Sequence, residues 1–350
     1  MKESEGMKVL LLSPLPPPAG GIATWTEEYC RLMESTEHSV RVINTALVGK
    51  RASGKREKRL TEELHRSWKI LRQMGKALRE ERFDFVHINT SCSPAGLLRD
   101  VACLLLARKC QAILHCHCNV EDQIGKSRLG KLLLTYAAKK ASLVLVLNER
   151  SRQALRALGC QTAELLPNFI AQEAIAPAPQ ISESARRILY VGHVRKEKGL
   201  FELLEAARAL PEMEFRLLGP IYEELTGIEI PENVCLLGMK PKQEVPSFLE
   251  QADIFLFPSY SEGFSLALLE AMAAGLPCIA TDVGANRDML EDQGGILIPV
   301  ADAKAIVDGV KKLQDATLRN HMSAWNQKKV RETYTVGQVM TCLLERMREF

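Results

Sequence analysis

No stretch of this chain reaches the twenty or so consecutive apolar residues that a membrane-spanning helix needs. The longest apolar runs, such as Val101–Ala107 and Leu143–Leu147, are short, and Arg99 and Asp100 cut the first off from the apolar residues that begin at Ala95. The opening Met1–Lys8 is polar and lacks the apolar core of a signal peptide. With ten cysteines and no such leader, the expectation is a reducing, cytoplasmic setting with free thiols. An excess of charge is missing too: 46 Lys and Arg stand against 43 Asp and Glu, and a net +3 is too little to imply nucleic acid as a partner. What is present is an ordinary globular composition, 46% hydrophobic and 25% charged, which excludes disordered, collagenous and coiled-coil chains. A length of 350 residues suggests about two domains.

Strand and helix patterns alternate from end to end. Short apolar runs at Lys8–Ser13, Val40–Asn44, Phe85–Ile88, Ala112–Cys116, Leu143–Leu147 and Glu164–Leu166 read as strands. Helical stretches fill Ile22–Met33, Arg59–Arg82, Ala95–Ala107, Ser127–Lys140 and Glu149–Leu158. After a Pro/Ala-rich break at Ala171–Gln180 the pattern restarts, with strands at Ile188–Gly192, Phe215–Leu218, Val234–Leu237, Ile254–Phe257, Cys278–Thr281 and Ile296–Ile298. Such alternation implies βαβ units and parallel sheets covered on both faces. The expected architecture is α/β: two doubly wound, Rossmann-like domains facing a central cleft, with ligands at the carboxyl ends of the strands. The domains are expected at 1–170 and 171–330, followed by a terminal helix over 331–350 that packs back on the first.

The segment Ser259–Pro277 is the richest in chemistry. A buried-looking strand, Ile254–Phe257, stops at Pro258, and a loop carrying Glu262 and Gly263 follows. Ser265 is placed to cap the next helix and Gly275 to end it. The free N–H groups and positive dipole end of such a helix suit an anion, and a glycine lets a ligand approach the backbone. Glu270 follows Glu262 by eight residues, about 12 Å if all were helical. Two carboxylates admit acid/base hydrolysis, whose spacings run from about 5 to 9.5 Å. They also admit a binding role, in which they accept hydrogen bonds from sugar and ribose hydroxyls. A capped amphipathic helix with two solvated glutamates is the plain alternative.

The run Glu262-Gly-Phe-Ser-Leu-Ala-Leu-Leu-Glu270, followed by Ala-Met-Ala-Ala-Gly-Leu-Pro, resembles the Glu-x7-Glu signature of retaining glycosyltransferases of family 4. The resemblance extends to Ile188–Gly192 with Lys198-Gly199, to Val234–Gly238, to Ala252–Ser259, to Gly20-Gly21-Ile22 and to Leu166-Pro167-Asn168. It implies the GT-B fold, a nucleotide-sugar donor held by the second domain and a hydroxyl acceptor held by the first. It further implies that Glu270 meets the ribose, Glu262 the transferred sugar, and the backbone of Gly263, Phe264 and Ser265 the diphosphate or sugar. Lys198 would neutralise the departing diphosphate. Family members often carry Arg directly after the strand glycine, where this chain has His193. Either Arg195, two residues on, reaches the diphosphate in its place, or His193 does so in part as a cation.

Two further stretches bear on the acceptor. In Ala112-Ile-Leu-His-Cys-His-Cys-Asn119, strand alternation turns His115 and His117 to one face and Cys116 and Cys118 to the other, which makes a tetrahedral zinc site awkward. His117 resembles the acceptor-side histidine of the family. Gly20-Gly21 opens a helix after Pro16–Pro18 without forming a Gly-x-Gly-x-x-Gly fingerprint, and resembles the family's acceptor-side loop. Between Lys50 and Arg82 lie 12 Lys and Arg against 5 Glu, on a loop and an amphipathic helix with Leu60, Leu64, Trp68, Leu71 and Leu78. This segment is either a solvated face or an anionic membrane surface contact.

The resulting expectation is a retaining transferase that moves a sugar from a UDP-sugar to a lipid-linked or polysaccharide glycan precursor. It needs no metal or other cofactor and works peripherally at the inner face of the cytoplasmic membrane. Other GT-B chemistry, such as an epimerase or hydrolase, and a non-catalytic nucleotide or nucleic-acid binder are the competing readings.

Overall fold

The structure, a computed structural model, describes residues 6–16, 21–46, 60–177, 179, 181–222, 225 and 227–350. The chain divides into two compact units, Met1–Asn168 with Met340–Phe350, and Phe169–Val339. Gly20, Lys50–Arg59, Ala178 and Gln180 lie outside the described residues.

In the first unit the order is β1 (Lys8–Ser13), α1 (Gly21–Glu34), β2 (Ser39–Asn44), α2 (Leu60–Glu80), β3 (Phe85–Thr90) and α3 (Pro94–Leu106). Then come β4 (Gln111–Cys116), α4 (Val120–Lys126), α5 (Arg128–Lys140), β5 (Leu143–Val146), α6 (Glu149–Ala157) and β6 (Ala163–Leu165). All six strands pair in parallel in the order β2-β1-β3-β4-β5-β6. The order reverses between β1 and β3, as in a doubly wound sheet. One face, carrying Leu10, Val86, Leu114 and Val144, packs under Ile70 and Met74 of α2, Leu97 of α3 and Leu134 of α5. The sequence stripe on α2 is only partly the buried one: Leu71 and Leu78 lean on the core, whereas Leu64 and Trp68 are exposed.

The second unit runs β7 (Arg187–Val191), α7 (Leu200–Ala209), β8 (Glu214–Leu218), β9 (Val234–Gly238), α8 (Val245–Gln251) and β10 (Ile254–Phe257). It continues through α9 (Leu266–Ala273), β11 (Cys278–Thr281), α10 (Asn286–Leu290), β12 (Gly295–Ile298), α11 (Ala303–Lys312) and α12 (Ala316–Thr333). Its six parallel strands are ordered β12-β11-β10-β7-β8-β9, with the reversal between β7 and β10. The chain end is not the single helix expected over 331–350. α12 ends at Thr333 and α13 (Val336–Arg348) starts anew. Ile170 causes the break: its N–H donates to the Tyr334 carbonyl and its carbonyl accepts from Val336 N–H, a parallel bridge that takes groups a continuous helix would use.

The other face of the first sheet is unusual in what it buries. His87 and His115 are fully buried, and with half-buried His117 they surround Trp25 of α1 at ring centroid distances of 5.2–5.4 Å. His115 and His117 lie 3.9 Å apart, on one face as alternation requires. Cys116 points to the opposite, apolar face. Burial holds His87 down at about 3, and neither ring nitrogen has a hydrogen-bond partner among the described residues.

An unfolded chain therefore takes up a proton at His87 between pH 6.5 and about 3 that the folded chain refuses. Stability from this residue is complete above 6.5 and is lost as pH falls. By pH 5 the loss amounts to about 2 kcal/mol. Thermal melts at pH 7.5 and 5.0 should show a lower melting temperature at pH 5.0, with a smaller drop for His87→Leu. An equal drop in both proteins would remove His87 as its source.

Candidate functional site

The elbow between β10 and α9 sits where the second sheet reverses its strand order, the place where doubly wound sheets leave a crevice at their carboxyl ends. Ile254–Phe257 is buried throughout, so the chain leaves the sheet only at Pro258. Ser265 then caps α9, its Oγ accepting from Leu268 N–H at 3.2 Å. This leaves the N–H groups of Leu266 and Ala267 without intrahelical acceptors, at the positive end of the helix.

Neighbouring loops clamp the elbow on both sides. On the β7 side, Glu197 accepts from Tyr260 N–H at 3.0 Å, and Gly199 adopts φ +76°, where an added Cβ would fall 2.1 Å from the Pro258 carbonyl oxygen. On the β11 side, Thr281 Oγ1 donates to the Ser259 carbonyl at 2.5 Å and Ala285 N–H to the Gly263 carbonyl at 3.1 Å. A Cβ at Gly284 would lie 2.0 Å from the Glu262 carbonyl oxygen, so only glycine lets these two loops meet.

The clamp brings two of the expected residues together. Lys198 Nζ donates to Glu262 Oε1 at 2.5 Å, with both side chains mostly buried. The side chain of Glu270, on α9, makes no hydrogen bond or ion pair among the described residues, while its backbone carbonyl accepts from Ala274 N–H at 3.0 Å. Burial raises its carboxyl above the ordinary range, partly offset by Lys242. A desolvated carboxyl of this kind gains from hydroxyl donors. The Phe264 ring is buried edge-on against Tyr334 at 5.5 Å, which leaves only its backbone to a ligand at the elbow.

His193 and Arg195 follow β7 and share a neighbour that the sequence did not flag. His193 Nδ1 lies 2.7 Å from Tyr222 Oη with the rings stacked, and Arg195 lies 5.4 Å over the same Tyr222 ring while donating to Glu197 at 2.7 Å. Partial desolvation, then Lys198 and Arg195, hold His193 below its ordinary value, against a weaker pull from Glu262. Tyr222 carried no signal in sequence, since its role depends on the bridge between Val194 and Ile221.

In the first unit, His117 follows β4, its N–H held by the Thr90 carbonyl at 2.8 Å, and desolvation followed by His87 pushes its imidazole down to about 3. It is therefore neutral, with Nε2 unpaired among the described residues. Gly21 is exposed at the start of α1, beside the β1–β3 reversal of that sheet. Among the described residues no group of three or more His, Cys, Asp or Glu could hold a metal ion. No helix among them is long and apolar enough to cross a membrane.

Comparison with known proteins follows the same division. Residues 19–173 match the model of Glycosyltransferase Family 4, and residues 171–329 that of Glycosyl transferases group 1. The UDP-Gal:alpha-D-GlcNAc-diphosphoundecaprenol alpha-1,3-galactosyltransferase of Escherichia coli is 26% identical over 291 residues, 74% of each chain. The amylovoran biosynthesis glycosyltransferase AmsK of Erwinia amylovora is 35% identical over 139 residues, 34% of each chain. The chain thus aligns with about three quarters of the first relative and about one third of the second. Among solved structures, Anabaena HepE in complex with UDP and glucose superposes with a TM-score of 0.75 at 17% identity, over 98% of this chain and 100% of that one. With matches running from residue 19 to 329 across both sheets, the chain belongs to the group 1/family 4 glycosyltransferases and has their GT-B fold.

Proposed function

We propose that the protein transfers a sugar, with retention of anomeric configuration, from a nucleoside diphosphate sugar to a hydroxyl of a lipid-linked or polysaccharide glycan precursor. UDP is the favoured nucleotide. The reading draws on the E. coli relative, named for UDP-Gal and a diphosphoundecaprenol acceptor, and on the HepE complex with UDP and glucose. A lipid-linked acceptor would bring the enzyme to the cytoplasmic face of a membrane as a peripheral protein.

The observation that carries the proposal is the Lys198–Glu262 pair at the crevice of the second sheet. As the glycosidic bond breaks, negative charge builds on the diphosphate, and Lys198 with the α9 N-terminus would meet it. Glu262 competes for that lysine. It releases Lys198 at least cost when sugar hydroxyls replace the ammonium as its donors, which ties recognition of the sugar to neutralisation of the leaving group. Glu270 would take the ribose hydroxyls and the backbone of Gly263, Phe264 and Ser265 the phosphate or sugar oxygens. Neutral His117 and Gly21 at the start of α1 would face the acceptor. No carboxylate is assigned as a covalent nucleophile, so the leaving diphosphate is the base for the incoming hydroxyl on the same face. The cationic side chain and helix end stand in for a metal.

Lys198→Ala should lower both turnover and UDP affinity, turnover by about two to three orders of magnitude. Glu262→Gln should lower turnover similarly while leaving UDP affinity equal or higher, because the competing charge is gone. Initial rates and calorimetry separate the two, and wild-type turnover in Glu262→Gln would defeat the coupling.

With His193 held below its ordinary value, its charge change falls under pH 6.5, so turnover should not decline from pH 7 to 8 on its account. Arg195→Ala should raise the donor KM more than His193→Ala. The reverse order, with a rate falling through neutrality, would make the imidazolium the phosphate contact. Proton NMR of the product should show the donor's anomeric configuration kept, at a rate that EDTA leaves unchanged; inversion or loss of activity with EDTA would reject the mechanism.

A further inference from the structure

Eight of the fourteen large apolar side chains exposed among the described residues lie on three neighbouring helices of the first unit, α2, α3 and α5. α3 is the extreme case. Its only charged residues, Arg99 and Asp100, are buried and paired, with Arg99 Nε and Nη2 donating to Asp100 Oδ1 at 2.9 and 2.7 Å. What α3 exposes is Pro94, Ala95, Leu98, Leu105 and Leu106, an outer helix face without one charge. A helix covering a sheet normally turns its polar side outward.

The helices on either side continue this surface. α3 packs against both α2 and α5, and Pro94 lies beside Gly130. α5 exposes Leu129, Leu132 and Tyr136, and around them Arg128, Lys131, Lys139 and Lys140, with Lys140 Nζ 5.7 Å from the Tyr136 ring. No acidic residue is exposed on α3 or α5. On α2, Trp68 and Arg72 meet Leu105 and Leu106 across a shallow groove. Arg72 stacks over Trp68 at 5.4 Å.

We propose that the α2–α3–α5 face docks on an anionic lipid bilayer, with α3 and the exposed leucines of α5 entering the headgroup layer and the flanking lysines and arginines at the phosphates. The charge pattern chooses this occupant. A second copy would set one basic rim against another, whereas an anionic headgroup layer complements it. Leu, Trp and Tyr tips among snorkelling Lys and Arg are the composition of an interfacial contact. The proposal gives the lipid-linked acceptor reading a physical site, but it is tested without donor or acceptor.

The test is co-sedimentation of the full chain with vesicles of phosphatidylcholine alone or with a quarter phosphatidylglycerol. Binding is expected to the anionic vesicles, weakened at least tenfold by 0.5 M NaCl and at least tenfold by Leu129→Glu with Leu132→Glu, two residues exposed to 59% and 66%. Phe201→Glu, an exposed apolar site on α7, should bind as the parent does. A thermal melt and UDP affinity like the parent's would show the double variant folded. Its failure to bind UDP along with the parent would count against the donor site, not against this face. No binding of the parent to anionic vesicles, or binding indifferent to the double substitution, would overturn the proposal. So would lipid-free dimerisation that the double substitution abolishes, because the occupant would then be a second copy.

Discussion

Lys198 and Glu262 stand 64 positions apart in sequence and touch at 2.5 Å because two parallel strands, β7 and β10, lie side by side at the strand-order reversal. Much of the second unit serves that contact. The reversal leaves the loops after β7 and β10 free of a crossing helix, so their side chains can converge. Gly199 lets the lysine's loop come within contact of Pro258, and Gly284 lets the next loop close on Glu262 from the other side. Each is a backbone approach that a Cβ would forbid. Thr281 ties down Ser259 from below. An ion pair mostly withdrawn from solvent is costly to break by removing one partner, since the other charge stays behind. That makes the pair a poor place for a purely decorative contact. It is a suitable place for one that a ligand rearranges by offering each charge a new partner.

The first unit solves a different problem, one strand away from the β1–β3 reversal of its own sheet. There the carboxyl end of β4 offers neutral imidazoles instead of a cation. His87 and His115 are wholly enclosed with Trp25 and Tyr29, and desolvation keeps all three rings of the cluster unprotonated. A neutral His117 cannot draw in a diphosphate, but its unpaired Nε2 can exchange hydrogen bonds with a hydroxyl. The two sheets thus share one winding and differ in the sign they present, cationic after β7 and uncharged after β4. That division follows from burial rather than from composition, since both loops are rich in titratable groups.

Strand positions were legible in sequence because parallel strands buried on both faces read as short apolar runs, and every run read as a strand is one in the structure. The Ser265 cap and the Gly275 stop fixed α9 almost to the residue. Elements without such punctuation escaped: α4 and α10, seven and five residues long, are too short to show a period. The break at Tyr334 arises from a bridge to Ile170, far away in the chain. The site was legible as residue types, not as contacts. That Glu262 answers Lys198, or that Tyr222 lies under His193 and Arg195, depends on strand order, which no local pattern records.

Charge runs and apolar faces also differ in how far sequence reports them. The basic run up to Arg82 is conspicuous, yet in the described part of α2 Arg66 pairs with Glu63 and Lys76 with Glu80, which removes part of its field. α3 looks ordinary by comparison, carrying an Arg and an Asp in an apolar stretch, as many surface helices do. Folding inverts that impression. The Arg99–Asp100 pair turns inward beneath the helix, and what would have been its polar face is spent inside the domain. Once both charges are used against each other, nothing polar is left for the outside. The apolar surface is therefore a consequence of which side of α3 the ion pair occupies, a choice made by packing and invisible to a count of charged residues.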